Sequence, residues 1–216
     1  MPVPIILSSP SGGGKTTIAH RLLISRKDCG YSVSCTTRAP RPGEKEGQDY
    51  YFISSDEFRR RQKAGAFAES ATVHGHLYGT LRSEVERVMA SGQNVIMDID
   101  VQGTRQFIKA FPDSLLIFVL PPSSEAMLER LKARGTEDKN ALVRRFESAK
   151  DELKAIDLYE YVVVNDDLET AVTAVSDIID GKGERFKRSR SPGLDRRVKE
   201  LVEGIQRAIG QYSKRK

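Results

Sequence analysis

The chain is short of the residues that staple or metallate a small protein. Among 216 residues there are two cysteines, Cys29 and Cys35, and three histidines, His20, His74 and His76. Two cysteines in a chain long enough to bury its own core read as free thiols of a reducing compartment rather than as a disulfide framework. Three scattered histidines with two cysteines give no metal-ligand spacing. Long apolar runs are also missing: nothing approaches the ~20 residues needed to span a bilayer. The N-terminal apolar stretch is short, has no basic segment before it and runs straight into glycines, so no signal peptide is expected.

What is present is charge, unevenly placed. The net charge is +5. Residues 181–216 hold 12 Lys/Arg against 4 Asp/Glu, while the first 180 residues hold 23 against 26. The body is therefore slightly acidic and the tail strongly basic, so the overall basicity does not make this chain a nucleic-acid binder. In the tail, Val198, Leu201, Val202, Ile205, Ala208 and Ile209 recur at helical spacing. They predict a C-terminal helix, docked on the body or frayed; a nucleic-acid, membrane or self-association contact is the alternative.

The body alternates strand and helix signals. Strands are expected at 3–8, 94–98, 115–120 and 161–164. Helices are expected at 16–23, 82–90, 101–110, 123–134, 139–156 and 168–179. A further strand-like piece spans 31–37, another 49–53 and a third 67–72; 74–80 reads as a Gly-containing loop. Ser54-Ser55-Asp56-Glu57 carries the capping residues of a short helix. This rhythm predicts an α/β fold with a parallel sheet covered by helices on both faces.

Between the first strand and the first helix stands Ser9-Pro10-Ser11-Gly12-Gly13-Gly14-Lys15-Thr16-Thr17. A glycine loop lets backbone N–H groups surround phosphate oxygens, and the helix N-terminus adds its dipole. Lys15 supplies a full charge, and the Thr16 hydroxyl can ligate Mg²⁺. Ser9 replaces the first glycine of the usual pattern. Such a loop predicts nucleoside triphosphate binding, without naming a reaction.

The next segment narrows it. Arg38 and Arg41 share a loop-to-strand stretch with Tyr50, and guanidinium forks match phosphate oxygens. Thr36, Thr37, Arg38, Arg41, Glu44, Gly47, Tyr50, Phe52 and Ile53 fall at the fixed positions of the guanylate kinase signature. The chain resembles that family over roughly its first 180 residues, as far as Asn165-Asp166-Asp167.

The resemblance implies a P-loop kinase with a parallel core sheet, a small mixed α/β GMP-binding region at about 34–81 and a helical lid at about 123–150, followed by the basic extension 181–216. It implies transfer of a phosphoryl group from ATP to GMP, with Mg²⁺, by a cytoplasmic enzyme of purine metabolism; dGMP is a further expected acceptor. Ser11, Gly12, Gly13, Gly14, Lys15, Thr16 and Thr17 would hold ATP, with Arg130 and Asn165 by the adenine. Arg38, Arg41, Tyr50 and Tyr78 would hold the GMP phosphate. Ser34, Glu69 and Thr80 would read the guanine. Asp98 and Asp100, at the end of a buried strand, would lie near the guanine, the reacting phosphates and the metal's waters; as residues alone, either could simply cap the next helix. Arg134 and Arg145 would arrive from the lid onto the phosphates and, with Lys15, carry catalysis.

The chemistry agrees for Glu69. Guanine presents N1–H and N2–H₂ side by side, and a carboxylate accepts both; adenine would leave it a desolvated charge. Besides Ser9, two positions depart from the family's pattern: Ser70 where a bulky aromatic is expected, and His76 where a small polar residue is usual. The competing readings are a kinase for another monophosphate and a non-catalytic guanylate kinase-like binding module.

Overall fold

A computed structural model describes residues 1–73, 75–133 and 139–214. A five-stranded sheet has the order β2-β7-β1-β8-β9 and a four-stranded sheet the order β4-β3-β6-β5, with strands numbered along the chain. The chain divides into two compact units, residues 1–6 with 23–115 and residues 7–22 with 116–216, the division passing through β1.

In the first unit, β1 (Pro4–Ser8) and β2 (Cys29–Tyr31) both pair in parallel with β7 (Asn94–Met97). Ile5, Ile6, Val95 and Ile96 are fully buried, as expected of apolar strands covered on both faces. The four-stranded sheet contains β3 (Cys35–Thr36), β4 (Tyr51–Phe52), β5 (Phe67–Val73) and β6 (His76–Leu81). Its underside packs on Cys35, Phe58 and Phe67; the two phenyl rings stack with centroids 4.4 Å apart. Phe58 comes from α2 (Ser55–Lys63), which the Ser54 hydroxyl caps by accepting from the Glu57 N–H at 3.1 Å. Helix α3 (Arg82–Ala90) lies against β7, and α4 (Val101–Ala110) against β5.

Two expectations for this unit change. The piece read as one strand over 31–37 is two short strands in different sheets, β2 and β3. The segment read as a loop is strand β6 from His76 onward, because its backbone pairs antiparallel with β5 and β3 on either side. His74 lies outside the described residues.

In the second unit, α1 (Lys15–Ser25) follows the glycine loop, with its last turn continuing into the first unit. Strands β8 (Leu115–Leu120) and β9 (Tyr161–Val164) pair in parallel from Ile117–Tyr161 to Leu120–Val164. Helices α5 (Ser124–Ala133) and α6 (Lys139–Leu153) follow β8. Helix α7 (Leu168–Ile179) is capped by Asp167, which accepts from the Thr170 N–H at 2.9 Å. The basic extension folds into α8 (Leu194–Lys214), which packs on α5 and α6 with Leu201, Ile205 and Ala208 buried. Gly204 permits the close approach: a Cβ there would lie 2.0 Å from the Ser124 hydroxyl. No described helix is long and apolar enough to cross a membrane.

Candidate active site

The polar groups of the first unit fall into two neighbouring sets on the four-stranded sheet. One is a phosphate-type cluster. The Arg38 guanidinium donates from Nε to the Tyr78 hydroxyl at 3.2 Å and from Nη2 to Glu44 Oε1 at 2.8 Å. It lies 5.5 Å from the Tyr50 ring centre and 5.9 Å from that of Phe52. Tyr50 and Tyr78 meet edge to face at 5.8 Å. The Arg41 N–H donates to Glu44 Oε2 at 2.7 Å, while its side chain is exposed. Glu44 therefore holds the Arg38 guanidinium and the backbone at Arg41. The Arg38 bond holds the Glu44 carboxyl below its ordinary range, and Glu44 in turn raises Arg38. Burial, with the nearby Asp98 charge, pushes the Tyr50 phenol up to about 12, so it stays a neutral donor.

The second set is a buried acceptor. Glu69 and Thr80 are directly opposed across β5 and β6. They are 6% and 1% exposed, so these polar groups need partners. Thr80 donates its hydroxyl to Glu69 Oε1 at 2.7 Å, and Ser34 sits 3.3 Å from Thr80. Because the one Thr80 proton is on Glu69, Ser34 is the donor in the longer contact. Glu69 lies against the first turn of α4, where a negative charge is favoured. A Cβ on Gly103 would stand 2.7 Å from its Oε2.

Asp98 and Asp100 divide in role. Asp100 is the N-cap of α4, its Oδ1 accepting from the Gly103 N–H at 2.6 Å. Asp98 accepts from the Tyr31 hydroxyl at 3.1 Å. Desolvation, then the Asp98 charge, raises the Tyr31 phenol strongly, so it remains a donor. Neither Tyr31 nor the organising role of Glu44 was visible in the sequence alone. Glu44 at least stood in the signature; Tyr31 meets Asp98 across 67 positions and left no local trace.

In the second unit the glycine loop turns with positive φ at Gly12 (86°) and Gly14 (97°), conformations that demand glycine. Helix α5 lies so close that a Cβ on Gly12 would stand 3.1 Å from Met127. A Cβ on Gly13 would meet Ser9 at 2.6 Å, so the glycine at 13 is what makes room for serine at 9. The Gly13 carbonyl accepts from Asn165 Nδ2 at 2.9 Å and Arg130 Nη1 at 3.4 Å, and Arg130 Nη2 donates to the Asn165 carbonyl at 3.2 Å. Arg130 and Asn165 thus meet at the loop. Lys15 is half-buried, and Thr16 and Thr17 are exposed on the first turn of α1. Arg145 is half-buried on α6; Arg134 lies outside the described residues. The Ser11 N–H donates to Glu152 Oε2 at 3.0 Å, a contact across 141 positions that no sequence pattern announced.

Among the described residues no group of three or more His, Cys, Asp or Glu could hold a metal. The Thr16 residue, exposed on the first turn of α1, carries a hydroxyl oxygen of the kind a hard cation such as Mg²⁺ takes as a ligand.

The departures are accommodated. The Ser70 backbone is clamped by the Gln106 side chain, whose Oε1 accepts at 3.2 Å and whose Nε2 donates at 2.9 Å; Gln62 donates to its hydroxyl at 3.0 Å. His76 is exposed.

Comparison with known proteins points one way. Residues 1–182 match the guanylate kinase family model. A guanylate kinase of Symbiobacterium thermophilum is 49% identical over 175 residues, covering 81% of this chain and 83% of that protein. One of Thermotoga maritima is 44% identical over 199 residues, 92% and 95% of the two chains. The crystal structure of guanylate kinase from Anaplasma phagocytophilum superposes with a TM-score of 0.68 at 34% identity, covering 92% of this chain and 94% of that one.

Proposed function

The chain belongs to the guanylate kinase family, and on that premise we propose how its residues carry out ATP-dependent phosphorylation of GMP to GDP. The observation that carries the reading is the buried Glu69–Thr80 pair beside the Arg38–Tyr78 cluster. One end fits a base with two adjacent donors and the other fits a phosphate.

Glu69 takes guanine N1–H and N2–H₂, and Thr80 holds its carboxylate in place. Ser34, the donor in the weaker of the two hydroxyl bonds, turns its proton to guanine O6. Arg38, Arg41, Tyr50 and Tyr78 bind the GMP phosphate, and Asp98, steadied by Tyr31, lies beside the nucleotide. Asp100 serves chiefly by capping α4, against which Glu69 rests. The same set accepts dGMP, since none of these contacts is to the ribose 2′-hydroxyl.

ATP binds the loop of the second unit. The backbone amides from Gly12 to Thr17 and the Lys15 ammonium surround its phosphates, and Arg130 with Asn165 flanks the adenine. Thr16 would be the protein's ligand to Mg²⁺, which when bound would supply positive charge to the triphosphate. An oxygen of the GMP phosphate attacks the γ-phosphorus in line. No enzyme nucleophile or strong base is required, because the attacking oxygen already carries charge. Lys15, Arg134 and Arg145 stabilise the transferred group. Closure of the lid around residues 123–150 keeps water from competing.

The test is ADP release with Mg·ATP and each of GMP, dGMP, AMP, CMP and UMP. Activity confined to GMP and dGMP is expected. Activity on another base overturns the Glu69 assignment. No activity with any of them, from folded protein, leaves a binding module.

A further inference from the structure

We propose that Glu152 is a positioning residue for the phosphate loop, fixing the limb by which the chain enters it; the proposal rests on reading residues 9–17 as the ATP site. Glu152 stands in the last turn of α6. Its Oε2 accepts from the Ser11 N–H at 3.0 Å, and its Oε1 lies 3.3 Å from the Ser148 hydroxyl. This carboxylate acts on the loop through what it holds.

What it holds is the loop's weak side. A run of three glycines has no side chains to pin it and loses more backbone freedom on ordering than any other residue type. A turn bond, Gly13 N–H to the Pro10 carbonyl at 2.8 Å, closes the loop locally. The exit limb is anchored at the Gly13 carbonyl by Asn165 and Arg130. The entry limb is anchored by Glu152. With both limbs fixed, the amides from Gly12 onward converge before the nucleotide arrives, so less ordering entropy is lost on binding.

The bond also has a directional consequence. The Ser11 amide is already engaged, so it is not one of the donors that meet phosphate; those begin at Gly12. Arg145 lies seven residues, about two turns, before Glu152 on the same face of α6. The end of α6 tied to the loop is thus the fixed point from which that arginine is presented.

The experiment compares Glu152→Ala and Glu152→Gln in the full chain. The alanine variant removes the acceptor; glutamine keeps an acceptor oxygen and removes the charge. Expected for Glu152→Ala is a rise of about tenfold in KM for ATP with KM for GMP changed less than about twofold, as befits lost preorganisation at one site. Glutamine should restore KM for ATP to within about threefold of the parent, because the contact needs an acceptor and not a charge. Amide hydrogen exchange over residues 9–17 of the nucleotide-free protein should accelerate in the alanine variant and not in the glutamine variant. That readout needs no turnover, so it tests the anchor even if the parent proves inactive on GMP. Unchanged exchange and unchanged KM for ATP in Glu152→Ala would overturn the proposal. So would parallel rises in both KM values with a lowered melting temperature, or a glutamine variant as impaired as alanine.

Discussion

Gly103→Ala should damage GMP recognition while leaving the fold as stable as before, or more so. Gly103 lies in the first turn of α4 with ordinary helical backbone, so alanine meets no conformational strain. Glycine to alanine within a helix is favourable by about 0.5–1 kcal/mol. The new methyl, however, would stand 2.7 Å from Glu69 Oε2 and 3.2 Å from its Cδ, where ordinary contact begins at 3.4 Å. The carboxylate must retreat by about 0.7 Å. That is enough to take one oxygen out of hydrogen-bonding range of the base. A hydrogen bond to a charged group is worth about 1.5–3 kcal/mol, so KM for GMP should rise roughly 10- to 150-fold. The assay is coupled ADP release with GMP varied at saturating Mg·ATP, then the reverse, with melting followed by calorimetry. KM for ATP should stay within about twofold, because α4 and Glu69 belong to the other unit. A variant with normal KM for GMP and an unchanged or higher melting temperature would refute the claim that the Glu69 carboxylate, held against α4, reads the base.

Lys15→Met should lower kcat by at least about 10²-fold while GMP, measured by calorimetric titration, binds within about threefold of the parent; a variant that keeps most of its turnover would remove Lys15 from catalysis. Cys35 should resist alkylation, since burial pushes its thiol up to about 11. At pH 8.5 an ordinary cysteine is about half thiolate, whereas Cys35 would be roughly 0.3% thiolate. Its iodoacetamide labelling, read by peptide mass, should become fast only in denaturant. Gly204→Val should force α8 off the start of α5, where even a Cβ would be 2.0 Å from Ser124. Overpacking of this kind costs about 1–3 kcal/mol, a fall of roughly 2–10 °C in melting temperature; no fall would show that the α5–α8 contact contributes nothing.

Several elements with local signals were readable to the residue, although the helix expected over 139–156 ends at Leu153, with Ile156 opening a separate 3-10 turn. Arg82–Ala90, Val101–Ala110, Leu115–Leu120, Tyr161–Val164 and Leu168–Ile179 begin and end where the pattern places them. Helical spacing, a capping carboxylate at Asp100 or Asp167 and an unbroken apolar run are written in adjacent residues. Strand β6 was not readable. His76-Leu77-Tyr78-Gly79-Thr80-Leu81 contains a glycine and follows Gly75, which looks like a loop; its two partners, β3 and β5, make it a strand. The same limit governs the site. Signature spacing pointed to Arg38 and Tyr50, and the family resemblance, not spacing, implied Glu69 and Thr80. The groups that hold them in place stand on other elements, as Tyr31 does for Asp98 and Glu152 for Ser11. Such pairings are tertiary facts with no period to betray them.

Those holding groups also bear on specificity. The side chains proposed to recognise GMP have partners within the protein: Arg38 bonds to Glu44 and Tyr78, and Glu69 to Thr80. A pre-paired guanidinium held over the Tyr50 and Phe52 rings loses little rotamer freedom when a phosphate arrives. On the proposed assignment Glu69 is different, because a base must supply donors to the face of the carboxylate turned towards it. Guanine supplies two. A base presenting no adjacent donors would seal that face from water with nothing in exchange, at a cost of about 1–3 kcal/mol or more for a charged group. On that assignment, discrimination against adenine comes mainly from the penalty of closing over a carboxylate to which the base gives no donor. Phosphate affinity would then rest mainly on the Arg38 guanidinium that Glu44 and Tyr78 hold in place. The two ends of the site therefore differ in what a substitution should reveal: loosening Arg38 through Glu44→Gln should raise KM for every monophosphate alike, whereas Glu69→Gln, which replaces one acceptor by a donor, should weaken guanine and narrow its advantage over adenine. Equal losses on both bases from Glu69→Gln would mean that this carboxylate supports the fold of the sheet instead of reading the base.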